Sequence, residues 1–401
     1  MKKTSQFEFV LLMAALMSIV ALSIDAVLPA LPLIGDYLSV NNPLDNPKLI
    51  TTIFLGLGIG QLIFGPLSDS FGRKPIVYTG FILFIIASII CVTTKSFEMM
   101  LFGRVLQGIG LACPRTMCIA MIRDRYEGDY MAKIVSIVVM VFILVPVVAP
   151  TLGQYLMNNY SWQFIFNFTL IYGIIVIIWF WLRQRETLKE KHRIPYRLNI
   201  FTNGTVQFFR IRPAVIYTLL SGFITGSFMV YLSTSQQIFE KQYNLAEEFP
   251  LIFASLAIAV GLATFLNSQL VVKYGMKRIV HLAMISYSLI SLVFICLFYS
   301  GNNPSIEILV TFFAVQFFTI GFLFGNLRAL AMEPMGHIAG IGSALNGFIS
   351  TIMAVPIADY IGNYIVDSVM PLFIGFFICG LISLLLFYSI NSPLARTLAS
   401  K

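Results

Sequence analysis

The sequence predicts an all-α polytopic membrane protein: twelve transmembrane helices arranged as two six-helix halves. Three observations carry that prediction. The 401 residues are 58% hydrophobic and 11% charged, with a mean hydropathy of +0.87. A soluble chain needs far more charge to cover its surface. The apolar residues also fall into long blocks, each near the ~20 residues needed to cross a bilayer. There are twelve, at 8–32, 48–67, 75–93, 97–121, 132–156, 163–182, 213–234, 249–271, 278–299, 305–331, 338–363 and 369–390. Finally, the charge is one-sided. With the N-terminus in the cytoplasm, only Lys48, Lys95 and Lys241 lie in outside connections, and Arg104, Arg115 and Arg328 lie within helices. The remaining 20 of the 26 Lys and Arg then face the cytoplasm. That is the positive-inside asymmetry.

Backbone polar groups cannot go unsatisfied in lipid, so each block reads as a helix. The alternation of a membrane β-barrel is absent. The first block follows Met1-Lys2-Lys3, which can imitate a secretory signal. Its run is long for a signal and lacks a good cleavage site, so a retained first helix is expected. The same block holds the stretch SIDAVLPALP, in which Asp25 is the lone charge between Phe9 and Pro32. A charge at the centre of a span costs roughly 2.5–3.5 kcal/mol on insertion scales. By the helical rise, Asp25 lies ~12 Å from the outer end of its span and Arg104 of the fourth span ~10 Å deep. Three readings stay open for Asp25: a permanent ion pair with Arg104, a carrier that binds and releases a proton, or a direct substrate contact. Burial raises a carboxylate's pKa and a nearby arginine lowers it, so a change in either term would move a proton.

The connection after the second block reads GPLSDSFGRKP, Gly65 to Pro75. Its glycines, Gly65 and Gly72, permit a tight turn and close helix approach. Asp69 and Arg73, four apart, can pair, and Asp124 at the inner end of the fourth span is a further partner for Arg73. Arg73 and Lys74 also serve as topology anchors. Arg115 lies nearer the cytoplasm than Arg104 on the fourth span, where it either snorkels or faces a cavity. The fifth block carries Pro146 and Pro150, each of which removes a backbone donor and bends a helix.

Residues 183–212 form the longest polar stretch, with eight Lys or Arg. It reads as a cytoplasmic linker between a half at 1–182 and a half at 213–401. The halves look related: a shift of 203 residues carries Leu67 onto Leu270, Gly72 onto Gly275 and Lys74 onto Lys277. Internal repeats of this kind mark secondary transporters, whose sites form between the repeats. In the seventh block Phe223, Ser227 and Tyr231 recur every four residues, as do Phe318, Phe322 and Asn326 in the tenth. Arg328 reads as a snorkelling anchor and Asp359 as an interfacial residue.

The net charge of +8 is a topology signal first and gives no nucleic-acid surface. The five cysteines each fall within a block, and His192, His281 and His337 are scattered. No disulfide, metal, haem or other cofactor is expected, and a monomer is.

GPLSDSFGRKP closely resembles the loop motif of the major facilitator superfamily. RVLQGIG (Arg104 to Gly110) resembles that superfamily's span-four motif. VPVVAPTLGQ (Val145 to Gln154) resembles the span-five motif of its antiporters. DAVLPALP is similar to the span-one signature of the bicyclomycin-resistance (Bcr/CflA) branch of proton-coupled drug exporters. The resemblance covers essentially the whole chain. It implies that the Asp69–Arg73–Asp124 cluster closes an inner gate, with the aspartate near a helix N-terminus. It implies that Pro146, Pro150 and Gly153 form a gating hinge and that the seventh and tenth spans line a central cavity. Aromatic walls with a few polar groups suit a lipophilic ligand. Two departures stand out: Ile119 replaces an arginine common in the branch, with Arg115 one turn earlier, and Ala149 replaces a glycine.

The implied function is proton-coupled export of small amphiphilic compounds through the lipid bilayer of a bacterial inner membrane. The alternatives are a proton-coupled uptake symporter or an exporter of one metabolite on the same fold. A membrane-embedded enzyme is not expected, because no GxGD motif surrounds Asp25 or Asp359. An ATP-driven pump is not expected either, because no phosphate-binding loop of the G-x-x-x-x-G-K-[ST] type occurs.

Overall fold

The computed structural model describes residues 5–126, 128–190, 193, 198–299 and 302–391. Among these there is no strand. Eleven segments of the described residues are long and apolar enough to cross a bilayer. A twelfth helix, α6 (Gly128–Asn159), takes the place of the fifth span. The twelve-helix arrangement expected from the hydrophobic blocks is therefore present.

The chain divides into two compact units, one up to Leu198 and one from Asn199. The division falls inside the polar linker. The first unit contains α1 (Gln6–Asp25), α2 (Leu31–Tyr37), α3 (Lys48–Phe71), α4 (Arg73–Thr93), α5 (Phe97–Arg125), α6 and α7 (Trp162–Arg183). Ser5 caps α1 by accepting the amide of Glu8, and Ser96 caps α5 by accepting that of Met99. Such caps satisfy donors that a helix start leaves free. Glu8 also pairs with Arg183, tying the beginning of α1 to the end of α7.

Span one is not a single rod. α1 stops at Asp25, a short 3-10 turn covers Leu28–Ala30, and α2 resumes at Leu31. Pro29 explains the break: it has no N–H to give the carbonyl four residues back, that of Asp25.

The second unit contains α9 (Arg212–Gln237), α10 (Phe249–Tyr274), α11 (Met276–Leu297), α12 (Ile306–Met332), α13 (Ala339–Gly362) and α14 (Met370–Asn391). Ahead of them, the linker holds a helix the sequence did not predict, α8 (Leu198–Arg210). Its residue Phe208 is fully buried while Val206 and Phe209 stay exposed.

The two units repeat each other's packing. α3 packs on α5 and α1 on α6 in the first; α10 packs on α12 and α9 on α13 in the second. A polar pair repeats with them. Gln107 donates to Ser88 Oγ at 2.9 Å, and Gln316 donates to Ser291 Oγ at 3.0 Å. The shift of 203 that aligns the loops also carries Ser88 onto Ser291. The two glutamines sit at the same register in α5 and α12. In both pairs a polar side chain buried in an apolar bundle finds its partner inside its own half.

Candidate functional site

Asp25 is the last residue of α1, at the lip of the break, and it is buried. Arg104 lies on α5 and is fully buried. The two form no ion pair; Asp25 has no ion-pair partner among the described residues. Of the three readings left open for Asp25, the permanent ion pair with Arg104 is therefore not the one this structure displays. Arg104 spends its donors elsewhere: Nε to the Leu49 carbonyl at 2.9 Å, Nη1 to the Ser23 carbonyl at 3.1 Å and to Gln107 Oε1 at 2.7 Å. Its guanidinium lies 5.7 Å over the Phe166 ring. Nη2 is buried with no hydrogen-bond partner among the described residues. Arg104 thus braces the carbonyls of spans one and two, two residues along from the carboxylate.

Span five leans on the same break. A Cβ on Gly153 would lie 1.9 Å from the Ala26 carbonyl oxygen, so only glycine permits that approach. Ala149 and Pro150 are buried on this helix and Pro146 is half-buried. The Pro/Gly motif therefore touches the point where span one is interrupted.

The second constellation lies at the other end of the first unit, around Gly72. Gly72 takes φ +99° and ends α3, and α4 begins at Arg73. Arg73 is only 2% exposed. Its Nη1 donates to Asp69 Oδ1 and to Ser68 Oγ, both at 2.6 Å. Its Nε donates to Asp124 Oδ2 at 3.0 Å. The sequence named Asp69, Arg73 and Asp124; the structure brings all three together within the first half. A buried guanidinium requires such a full set of acceptors.

Three participants were not named from sequence: Ser68, Glu186 and Thr187. Glu186, just past α7, accepts the backbone amides of Arg73 and Lys74, each at 3.0 Å. Thr187 Oγ1 donates to Asp124 Oδ2 at 2.9 Å. So the carboxylate at the N-terminus of α4 is Glu186, whereas Asp69 sits in the last turn of α3. The only signal in the sequence was an acid and a threonine amid the arginines and lysines that follow span six. Lys74 places its ammonium 5.8 Å over the Tyr78 ring. Gly65 lies within α3, not in the turn, and its carbonyl accepts Ser68 Oγ at 2.8 Å.

In the second unit the candidate ligand residues divide. Ser227 is buried, accepts Tyr287 Oη–H at 2.7 Å and donates to the Ile224 carbonyl at 2.9 Å. Asn326 is buried and donates to Asn267 Oδ1 at 2.7 Å. Tyr231 stacks among Phe253, Phe313 and Phe317, and its hydroxyl has no hydrogen-bond partner among the described residues. These three serve the interior of their own half. Phe223, Phe318 and Phe322 remain half-buried, the last two edge to face at 5.4 Å. Arg115 is half-buried on α5. Arg328 is exposed, 3.4 Å from Ser343 Oγ, and Asp359 is half-buried near the end of α13.

A two-unit bundle with paired helix packing, a buried acid at a broken span and a charge cluster at a helix turn describes a secondary membrane transporter. The family model of the Major Facilitator Superfamily matches residues 12–358, and the chain belongs to that superfamily. The chain is 27% identical over 394 residues to a bicyclomycin resistance protein homolog of Haemophilus influenzae, covering 98% of each. It is 28% identical over 344 residues to the multidrug resistance protein MdtL of Shewanella oneidensis, covering 85% of each. These relatives fit the Bcr/CflA branch. Among solved structures, a D-xylose–proton symporter shares the fold with a TM-score of 0.74 at 14% identity, over 96% of this chain and 97% of that one. The human organic anion transporter MFSD10 (TETRAN) matches at 0.65 and 16% identity, over 94% of this chain and 98% of that one.

Proposed function

We propose that the chain is a proton-coupled secondary transporter that exports small amphiphilic compounds from a bacterial cell by alternating access. Both termini face the cytoplasm in this reading. The names of its relatives, which speak of resistance to bicyclomycin and to multiple drugs, favour export over uptake. The observation that carries proton coupling is Asp25, a buried acid at a break in span one with no ion-pair partner among the described residues. A carboxylate in such a place exchanges its proton when access to water or to a cation alternates. Arg104 braces the break beside it. Phe223, Phe318 and Phe322 of the second unit offer apolar contact to a lipophilic ligand, and Arg115 on α5 of the first unit offers a polar one. The cluster of Asp69, Arg73, Lys74 and Asp124 serves as a cytoplasmic gate, and Pro146, Pro150 and Gly153 let span five follow the break.

The test uses inverted vesicles with an imposed pH gradient and two probes, ethidium and bicyclomycin. Wild-type protein is expected to dissipate the gradient when a probe is added. Asp25→Asn keeps the side-chain size and is expected to insert normally yet lose concentrative export. In detergent, substrate-induced proton release should vanish with it across the pH range. Proton release from Asp25→Asn with the wild-type pH dependence would place the coupling proton elsewhere.

A further inference from the structure

The turns at Gly72 and Gly275 are internal duplicates, and comparing them isolates one interaction. Both glycines have positive φ, +99° and +78°, and both give their amide to a carbonyl four residues back, Gly72 to Ser68 and Gly275 to Val271. Both start a helix with a cationic residue in its first turn. Yet the surroundings differ. At Gly72, a Cβ would lie 2.7 Å from Glu186 Oε2; at Gly275, it would meet nothing within 4 Å. Among the described residues, no side chain accepts the first amides of the helix that starts after Gly275, as Glu186 does for α4. By the same shift, Val272 stands where Asp69 does and Met276 where Arg73 does, and Val272 is 88% exposed. The turn therefore folds without a capping carboxylate. Among the described residues, the capping carboxylate occurs at the turn whose next residue is Arg73 and not at the one whose next residue is Met276.

Its geometry suits that task. The two carboxylate oxygens take the first two amides of α4, where the helix dipole favours an anion. Oε1 also accepts the amides of Thr187 and Leu188, at 2.9 and 3.0 Å, so the linker folds around the carboxylate. Thr187 then adds its hydroxyl to Asp124, the acid that Arg73 reaches from the other side. Leu188 is buried beneath this loop.

We propose that Glu186 and Thr187 make the start of the linker a strap over the cytoplasmic gate, with Glu186 as a positioning residue that holds Arg73 between Asp69 and Asp124. The strap lifts when the gate opens and re-seats when it closes. This rests on the gate reading of the Asp69 cluster. It makes the linker, and not only the helix turn, a moving part of the transport cycle.

The experiment compares full-length wild type, Asp69→Asn, Glu186→Gln, Glu186→Asp and the double Asp69→Asn/Glu186→Gln variant. Ethidium transport is read in inverted vesicles, and trypsin cleavage of the linker, at the exposed Arg185 and Lys189, is read in detergent. Glu186→Gln is expected to slow transport roughly three- to tenfold, in the lower part of the range of coupling between contacting residues. It should be cut several-fold faster than wild type, and Glu186→Asp should recover part of both. The double variant should be no slower than the slower single one, because both act through Arg73. Wild-type transport by Asp69→Asn would remove the gate reading itself. An impaired Asp69→Asn beside a silent or strictly additive Glu186→Gln would overturn the strap and leave the gate. Equal cleavage of wild type and Glu186→Gln would also overturn it. Should Glu186→Gln fail to accumulate, Gly72→Ala against Gly275→Ala decides. Both carry the same backbone strain, and only the first displaces Glu186, so equal transport by the two overturns the strap.

Discussion

Arg104 shows how a single side chain can do work that its charge alone does not suggest. It hydrogen-bonds two backbone carbonyls from two different spans and one glutamine. That needs the planar fork of a guanidinium; an ammonium on a lysine stem is a point charge that cannot reach all three. Arg104→Lys is therefore expected to keep the charge but lose about 1–3 kcal/mol of stability, through acceptors left unmet in the core. Thermal unfolding in detergent, compared with wild type, checks this; an unchanged midpoint would mean that charge and not geometry is what the site requires. The sequence set Arg104 and Asp25 at one depth by counting residues along their helices. It did not show that they fail to pair, because depth along a helix says nothing of direction around it. Glu186 was illegible for a related reason. Its partners are backbone amides 113 and 112 residues earlier, and no spacing rule reaches that far.

At the level of elements, hydropathy located all twelve spans to within a few residues, since in lipid the length of an apolar run is itself the constraint. It missed what happens inside span one and inside the linker. The linker helix α8 contains Asn, Thr and Gly, poor helix formers, and takes shape by burying one face, with Phe208 inward. The break after Asp25 was written in Pro29, but proline in a span also makes simple kinks. Pro29→Ala restores an amide that can donate to the Asp25 carbonyl and lets the helix run on. The expected result is a protein as stable as wild type, or more so, with ethidium transport down several-fold. Unchanged transport would show that the interruption is not needed for coupling.

For the molecule as a whole, the doubling of the chain was legible in three matched residues of two loops. The Gln–Ser pairs at the centre of each half were not, because the second glutamine pair follows a slightly different offset, set by longer connections before α12. Orientation rests on the distribution of positive charge and invites its own test. In a cysteine-free background, Glu190→Cys is expected to react with a membrane-impermeant maleimide only in inverted vesicles, and Asp45→Cys only in intact cells. The opposite pattern at either position would reverse the topology.

The bare turn at Gly275 has a practical consequence. It shares its positive-φ backbone with the turn at Gly72 but, among the described residues, carries no charge network and no capping carboxylate, and Val272 beside it stands almost fully open. A fluorophore or short epitope attached there should perturb neither folding nor turnover. The matching place in the first half admits no such handle, since any addition meets Glu186. The second unit thus supplies an attachment point for following transport at the duplicate of the turn proposed as the gate.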